Sequence, residues 1–310
     1  MPYSLENRLV IGVASSAMFD LAESDAVFRA EGEAAYRKYQ EAHVHDTLTP
    51  GVAFSFVRRL LSLNDLRADP EDPLVEVVLL SHNDPDTGMR VMKSIEAHGL
   101  SITRAIFMQG RAPYEYIPAL EISLFLSANE GDVIEAIKRG FPAGYVMASA
   151  LVDDEDDADL RIAFDFDGVL VDDESETVMQ STLSVARFHE HETRNILTPH
   201  NPGPLKDFLM RVSKIQAVEE AHRAQDPHYK NRLRVSLVTA RNAPSHERAL
   251  NTLKSWGVMV NDAFFLGGIE KRKVLEVLRP HIFFDDQSGH LVKSATVVPS
   301  VHVPFGVTNR

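Results

Sequence analysis

The sequence predicts an α/β fold of two parallel-sheet domains that are related by internal duplication and carry a helical cap insertion. Three observations lead to this prediction. Short apolar, strand-like segments alternate with segments of helical periodicity, this alternation occurs twice in the 310 residues, and a very acidic stretch at 153–159 lies near the midpoint. The acidic stretch is typical of a linker, although composition alone fits a solvated loop equally well. We therefore expect one domain at 1–150 and another at 151–310.

The repetition takes the form of nearly constant offsets between matching residues. An offset of 158 aligns the apolar segment at 77–81 with 235–239 and continues without a gap for roughly fifty residues, whereas the offset is 151 near the start and 152 between. Matched pairs include Gly99 with Gly257, Leu9 with Leu160, and Pro50-Gly51 with Pro202-Gly203. Ordered matches in three windows indicate a duplication rather than chance.

Each copy is predicted to place its strands in a parallel sheet. In the second copy we expect strands at 161–166, 234–239, 263–266, 282–285 and 300–304, with helices that include 245–256 and 272–278. The polar, helix-rich insertion at about 172–233 predicts the cap. Parallel sheets with right-handed crossovers bind ligands at the carboxyl ends of their strands, so the chemistry is expected there.

Two predicted strands of the second copy end in acidic residues. Asp165 and Asp167 follow an apolar strand and face the same side of the pleat, and Asp285 and Asp286 end another apolar strand. Like charges that converge at a strand end repel each other, and binding a divalent cation would relieve that repulsion. The carboxylates would then be ligands of the cation. The alternative interpretation of the first pair is a polar strand end followed by the turn at Gly168.

A hydroxyl and a cation complete the candidate site. Thr239 ends a strand, and Lys271 lies just beyond Gly267-Gly268 at a predicted helix start, where backbone N–H groups and an ammonium can hold an oxyanion. Lys273 is a second candidate for the cation.

The order of these motifs resembles that of the haloacid-dehalogenase-like phosphohydrolases, and more narrowly that of the cytosolic 5'-nucleotidase I family. The resemblance covers nearly the whole chain. It is carried by 51–57 (GVAFSFV), 124–128 (LFLSA), 188–192 (FHEHE), 203–209 (GPLKDFL), 237–241 (LVTAR) and, most specifically, 279–287 (RPHIFFDDQ).

The resemblance implies a Rossmann-like fold and a Mg²⁺-dependent 5'-nucleotidase that hydrolyses nucleoside 5'-monophosphates, with AMP favoured. It implies that Asp165 is the nucleophile that forms an aspartyl-phosphate and that Asp167 acts as general acid and then general base. Thr239 and Lys271 would bind the phosphate.

The same resemblance implies a Mg²⁺ site made by the Asp165 carboxylate, the Asp167 backbone carbonyl and either Asp285 or Asp286. In-line phosphoryl transfer then depends mainly on positioning and charge neutralisation.

Other residues are weaker candidates for contacting the substrate. Those assigned to base, ribose or phosphate contacts are Phe188, His189, His191, Lys206 and Arg241. For the two histidines the alternative is a solvated helix face shared with Glu190 and Glu192. Trp256 is expected to pack against the sheet.

The first copy lacks the acids. The offsets bring Asp165, Asp167, Thr239, Lys271, Asp285 and Asp286 onto Ala14, Ser16, Ser81, Pro113, Ser127 and Ala128. We expect no Mg²⁺ there, because a cation needs hard oxygen ligands. This half is either a scaffold or a regulatory pocket for a nucleotide activator.

Composition narrows the functional class. The net charge of −13 argues against a general nucleic-acid binder, the absence of Cys excludes disulfides and thiolate sites, and no apolar stretch has the length of a membrane span. We expect a soluble cytoplasmic enzyme, with homo-oligomerisation open. The rival functions are a phosphatase of another small phosphomonoester and a nucleotide-binding regulator without turnover.

Overall fold

The computed structural model describes residues 3–149 and 151–309. Ten strands in these ranges form one sheet. The strands of the first half are β1 (Leu9–Ala14), β2 (Val75–Ser81), β3 (Arg104–Phe107), β4 (Leu124–Ser127) and β5 (Ala143–Val146). Those of the second half are β6 (Leu160–Phe164), β7 (Leu233–Thr239), β8 (Asp262–Phe265), β9 (Ile282–Asp285) and β10 (Ser300–His302).

Helices connect the strands in both halves. The first half contains α1 (Ser15–Met18), α2 (Ala22–Glu31), α3 (Glu33–Ala42), α4 (Phe54–Ser62), α5 (Met89–Ala97) and α6 (Glu130–Lys138). The second contains α7 (Glu174–Thr182), α8 (Val185–Arg194), α9 (Lys206–Gln225), α10 (His246–Ser255), α11 (Lys271–Leu278) and α12 (Ser288–Ser294). Within the described ranges, none of these helices combines the length and apolar character needed to cross a membrane. The predicted α/β class is confirmed.

The strand order is β3-β2-β1-β4-β5-β10-β9-β6-β7-β8. Each half is parallel within itself and uses the same order, and the halves meet where β5 pairs antiparallel with β10, Tyr145 opposite His302. We expected a separate sheet in each half, and that expectation is wrong. Gly144 is one reason the edges can join, since a Cβ at this position would lie 2.3 Å from Val301 Cγ1.

The antiparallel join has a consequence for function. Because β5 and β10 run in opposite directions, the carboxyl ends of the two half-sheets face opposite edges of the whole sheet. The first-half counterpart of the candidate site, at Ala14, Ser81 and Ser127, is therefore on the edge away from Asp165.

The offsets found in the sequence also relate the strand bounds and backbone angles of the two halves. Adding 158 to the bounds of β2, β3 and β4 gives those of β7, β8 and β9. Positive φ angles recur at the same places, as at Gly110 and Gly268 (79° and 90°) and at Glu121 and Arg279 (51° and 48°). A common topology is thus a property of the structure, while duplication as its origin stays a prediction.

The two halves also share one core. The largest buried apolar cluster runs from Leu9 to Val303 and includes residues from both half-sheets. Helix α4 of the first half packs on β6, and α9 of the second half packs on β1. The helices thus cross the join and bind the half-sheets together.

The insertion between β6 and β7 has two parts. Helices α7 and α8 pair with each other, whereas α9 packs on β1 and β7 through a buried stripe that includes Phe208, Leu209 and Val212. The predicted cap at 172–233 was therefore too long, because α9 is a crossover helix on the sheet. The cap interpretation now applies to α7 and α8 alone.

The acidic stretch at 153–159 is held against the first half. Arg59, only 3% exposed, donates to the Asp153 carboxylate at 2.8 Å and to the backbone carbonyls of Asp154 and Asp159 at 2.7 and 3.0 Å. The segment connects the two halves, and these contacts fix its course.

Candidate active site

The candidate site lies where the central strands of the second half end. Asp165 follows β6, and its N–H donates to the Phe284 carbonyl of the neighbouring β9 at 2.8 Å. Thr239 and Asp285 are the last residues of β7 and β9, and Lys271 is the first residue of α11. All four are at least 96% buried. The structure therefore brings together the residues that the motif order placed at one sheet edge.

Lys271 is a buried ammonium held between two buried carboxylates. Its Nζ lies 2.7 Å from Oδ2 of Asp165 and 2.7 Å from Oδ2 of Asp285. Burial alone would lower the pKa of Lys271, but the two carboxylates outweigh it and raise that pKa above its ordinary value. Lys273, the alternative candidate, is exposed. The geometry thus favours Lys271 as the cation of the site.

Three carboxylates form a cluster beside this ammonium. Asp165, Asp285 and Asp286 each offer an oxygen within 4.8 Å of the others. Burial, reinforced by the neighbouring carboxylates, raises the pKa of Asp286 to about 9. Burial also raises the pKa of Asp165, to about 6, although Lys271 opposes the shift. One ammonium does not neutralise three buried carboxylates.

The donor set fits a hard divalent cation. Among the described residues, Oδ1 of Asp165 and Oδ1 of Asp286 are buried without a hydrogen-bond partner. Carboxylate oxygens are the ligands that Mg²⁺ prefers, and a cation here would offset the burial and the repulsion that raise both pKa values.

Residues at the C-terminal end of the described chain support the acid pair. Thr308 Oγ1 donates to the Asp286 carboxylate at 2.8 Å, and Asn309 Nδ2 donates to the Asp286 carbonyl at 2.9 Å. His290 Nδ1 lies 3.3 Å from Oδ2 of Asp285. Sequence reasoning missed these three residues, because Thr308 and Asn309 follow the last strand and His290 lies on α12, outside the recognised motifs.

Asp167 lies apart from the acid cluster. Its carboxylate accepts two bonds from the Arg241 guanidinium, at 2.8 Å from Nε and 2.7 Å from Nη2. Arg241 is 3% exposed, and its remaining nitrogen, Nη1, donates to Glu192 and to the Ser245 carbonyl. Arg241 was predicted to contact substrate, but in the structure its guanidinium is fully engaged by protein groups.

The FHEHE motif on α8 lies above the carboxyl end of β7. The Phe188 ring centroid is 5.4 Å from the Arg241 guanidinium carbon, and His189 Nε2 lies 2.9 Å from Asn242 Oδ1. Glu192 was expected on a solvated face, and that alternative is wrong for this residue, which is 1% exposed.

Two other predicted residues have different surroundings. Thr239 Oγ1 accepts a bond from the Arg241 backbone N–H at 3.3 Å, so the hydroxyl faces the loop that follows β7. The Lys206 ammonium lies over the Trp256 ring, 4.9 Å from its centroid. Lys206 is thus in a cation–π contact, and Trp256 packs as expected.

A cavity of about 180 Å³ opens beside Lys271. Its lining carries several cationic groups, and consists of Ala240, Gly268, Ile269, Glu270, Lys271, Arg272, His290 and Lys293. Gly267 and Gly268 have positive φ angles of 56° and 90°, which let the loop turn tightly before α11. The cavity offers an anionic ligand a path to Lys271.

The first half has no comparable acid cluster in the described residues. Ser81 Oγ lies 3.2 Å from Ser15 Oγ, and Ser127 Oγ accepts a bond from the Asn129 N–H at 3.0 Å. The small polar residues at these strand ends therefore bond to one another and to nearby backbone.

Comparisons with known proteins show the family of the chain. A model of the 5'-nucleotidase family matches residues 1–310. Human cytosolic 5'-nucleotidase 1B is 34% identical over 295 residues, which is 94% of this chain and 48% of the human protein. The chain therefore spans about half the length of that relative. No solved structure matches the chain.

The family match extends over the whole chain. The chain therefore belongs to the 5'-nucleotidase family, within its cytosolic 5'-nucleotidase I group.

Proposed function

We propose that the protein is a Mg²⁺-dependent 5'-nucleotidase that releases phosphate from nucleoside 5'-monophosphates, AMP among them. The observation that carries this proposal is the buried cluster of Asp165, Asp285 and Asp286 beside Lys271 at the end of the central strands. Family membership and the human relative's name support the same reaction class.

Asp165 would be the nucleophile. Its Oδ2 is paired with Lys271, while Oδ1 has no hydrogen-bond partner in the part of the chain that the structure describes. Oδ1 is therefore the Asp165 oxygen that would attack the phosphorus atom. The P–O bond to the ribose would break as the Asp165–phosphate bond forms, and water would then hydrolyse the aspartyl-phosphate.

Asp167 would move the protons. It would protonate the departing ribose oxygen in the first step and deprotonate the attacking water in the second. Its position two residues after Asp165 supports this role, and the Arg241 guanidinium fixes where its carboxylate lies.

Asp165, Asp285 or Asp286, and the Asp167 backbone carbonyl would hold the Mg²⁺. The cation, when bound, supplies charge neutralisation that lets the Asp165 carboxylate approach a phosphate dianion. Lys271 and Thr239 would bind phosphate oxygens, and the cationic cavity beside Lys271 supports entry of an anion.

Helix α8 would contact the nucleoside. Phe188 and His189 are only partly buried and lie at the carboxyl end of β7, next to Arg241 and Asn242. An aromatic ring offers a stacking surface for a base. The human relative is named as a cytosolic enzyme, and we infer the same compartment for this protein.

The test is phosphate release by the purified chain from a panel of nucleoside 5'-monophosphates, with Mg²⁺ or with EDTA. Sugar phosphates serve as the comparison substrates. We expect turnover of AMP that requires Mg²⁺ and is lost in Asp165→Asn. Preference for a sugar phosphate would favour a different phosphomonoesterase, and tight AMP binding without turnover would favour a regulator.

A further inference from the structure

A buried charged network joins α8 to the Asp167 carboxylate. Glu192, on α8, receives hydrogen bonds from Arg241 Nη1 and, at 2.9 Å, from Arg248 Nη1. Ser175 Oγ of α7 donates to it at 2.8 Å, and His200 Nε2 lies 3.3 Å away. The Glu192 and His200 side chains have no exposed surface, and those of Arg241 and Arg248 are 2% and 3% exposed.

Arg241 is the member that reaches the proposed general acid. It donates two hydrogen bonds to Asp167 and one to Glu192. Its Nη2 also lies 3.1 Å from His200 Nε2. The Phe166 ring closes one face, with its centroid 5.0 Å from the guanidinium carbon. Because the Arg241 guanidinium is fixed by these contacts, its two hydrogen bonds also fix the orientation of the Asp167 carboxylate.

Stability alone does not account for these charges. A buried ion pair loses about as much in desolvation as it gains in attraction, so it is weak grounds for a stabilising role. The matching positions of the first half also indicate that the fold does not require these charges.

In the first half the three matching positions carry no charge, and α3 is linked to the loop after β2 by a different pair, Arg37 with Asp84 at 2.6 Å. At the matching offsets Glu192 becomes Gln40, Arg241 becomes Asn83 and Asp167 becomes Ser16. Gln40 is 3% exposed, so this position is buried in both halves.

The structural arginine, by contrast, is kept. Arg248 Nε donates to the Thr198 carbonyl at 2.9 Å, and its counterpart Arg90 donates to the Asp46 carbonyl at the same distance. The helix pair is therefore anchored in the same way in both halves. What the second half adds is Glu192 and Arg241, in the half that also has Asp165 and Asp167.

We propose that Arg241 and Glu192 are positioning residues for Asp167: Arg241 holds the carboxylate of the general acid, and Glu192 holds Arg241 and couples α8 to it. This inference rests on the proposed phosphatase function. It gives α8 a second role beyond contacting the nucleoside, because the helix then sets the orientation of the group that transfers the proton.

The experiment is a double-mutant cycle on AMP hydrolysis by the full chain with Mg²⁺, using Glu192→Gln, Arg241→Met and the double variant. We expect Glu192→Gln to lower kcat at least about tenfold, with KM changed less than about threefold. If Glu192 acts through Arg241, it should add little to the loss in the Arg241→Met background.

Two controls separate positioning from loss of folding. Glu190→Gln changes an exposed neighbour on α8 that pairs with the surface residues Arg187 and Arg194, and should leave kcat unchanged. Gln40→Ala alters the buried first-half counterpart, and should lower Tm while leaving kcat unchanged below its Tm.

The outcomes discriminate between the two proposals. A folded Glu192→Gln variant whose kcat falls less than fivefold, or losses that simply add in the double variant, would overturn the inference while the proposed function stands. A wild-type chain that releases phosphate from no ester in the panel would overturn the proposed function and this inference with it.

Discussion

Lys271 is a buried cation paired with two buried carboxylates, and its removal should therefore be costly. We expect Lys271→Met to lower the free energy of unfolding by about 3 kcal/mol, because it leaves uncompensated buried charge. Chemical denaturation at neutral pH without divalent cations measures this. Lys273→Met, on the exposed face of the same helix, is the matched control and should have little effect. Equal losses in both variants would refute the assigned role of Lys271.

His281 gives the protein a defined acid sensitivity. Burial, with Arg59 and Arg161 nearby, lowers the pKa of His281 from 6.5 to about 4. The folded state then binds fewer protons than the unfolded state between these values, so the free energy of unfolding decreases as the pH falls through this window.

The shift predicts that the free energy of unfolding falls by about 3 kcal/mol between pH 7 and pH 4, a loss that His281→Asn should remove. The measurement is urea denaturation of both proteins at several pH values. His228→Asn, at an exposed position, should follow the wild type. An identical pH profile for His281→Asn and wild type would count against the assignment.

Sequence reasoning identified the side chains that are expected to perform chemistry, but not the side chains that hold them in position. Asp165, Asp285 and Lys271 stand at strand or helix ends inside recognisable motifs. Glu192 looked like one of two acids on a polar helix, and only the tertiary structure buries it. Arg241 was recognised as a site residue but given a substrate contact, since its partner on α8 is 49 residues away in sequence.

Among the elements, the repeated Pro-Gly pairs have a steric explanation. Gly51 and Gly203 precede α4 and α9, and their N–H groups donate to Met18 and Leu170 at 2.9 Å. A Cβ on Gly203 would lie 2.3 Å from the Val171 carbonyl oxygen, a backbone atom that cannot rotate away. The glycine is thus required by close approach of two backbone segments.

Gly203→Ala should therefore destabilise the protein by about 2 kcal/mol and reduce AMP turnover, because it displaces the loop that follows Asp167. Thermal unfolding and phosphate release measure the two effects. Gly289→Ala, where a Cβ meets nothing within 4 Å, is the control and should not lower Tm. A Gly203→Ala variant with unchanged Tm would show that the loop accommodates the Cβ, and would contradict this prediction.

The strands and the later helices were predictable from local pattern. The predicted strand at 282–285 coincides with β9, and the predicted helix at 245–256 differs from α10 by one residue at each end. Helix α9 was misassigned to the cap because its polar residues dominate the composition. Its apolar positions at Phe208, Leu209, Val212 and Ile215 recur at helical spacing, and that signal identifies a sheet-packed helix.

In the whole molecule, one continuous sheet joins the two halves. Sequence repetition predicted their shared topology, but an antiparallel edge pairing between β5 and β10 has no sequence motif. Because α4 and α9 cross the join and one apolar cluster spans it, the halves should unfold together. We expect one calorimetric transition whose van't Hoff and calorimetric enthalpies agree. Two separable transitions would mean that the halves are independent domains.

In the proposed reaction, Asp165 accepts the phosphate from AMP. The most direct measurement is acid quenching of the enzyme during turnover of AMP that carries radiolabelled phosphate, followed by peptide mapping. We predict Mg²⁺-dependent label on the peptide that contains Asp165, and none in Asp165→Asn. Sustained AMP turnover by Asp165→Asn, or label retained at another residue in that variant, would contradict the claim.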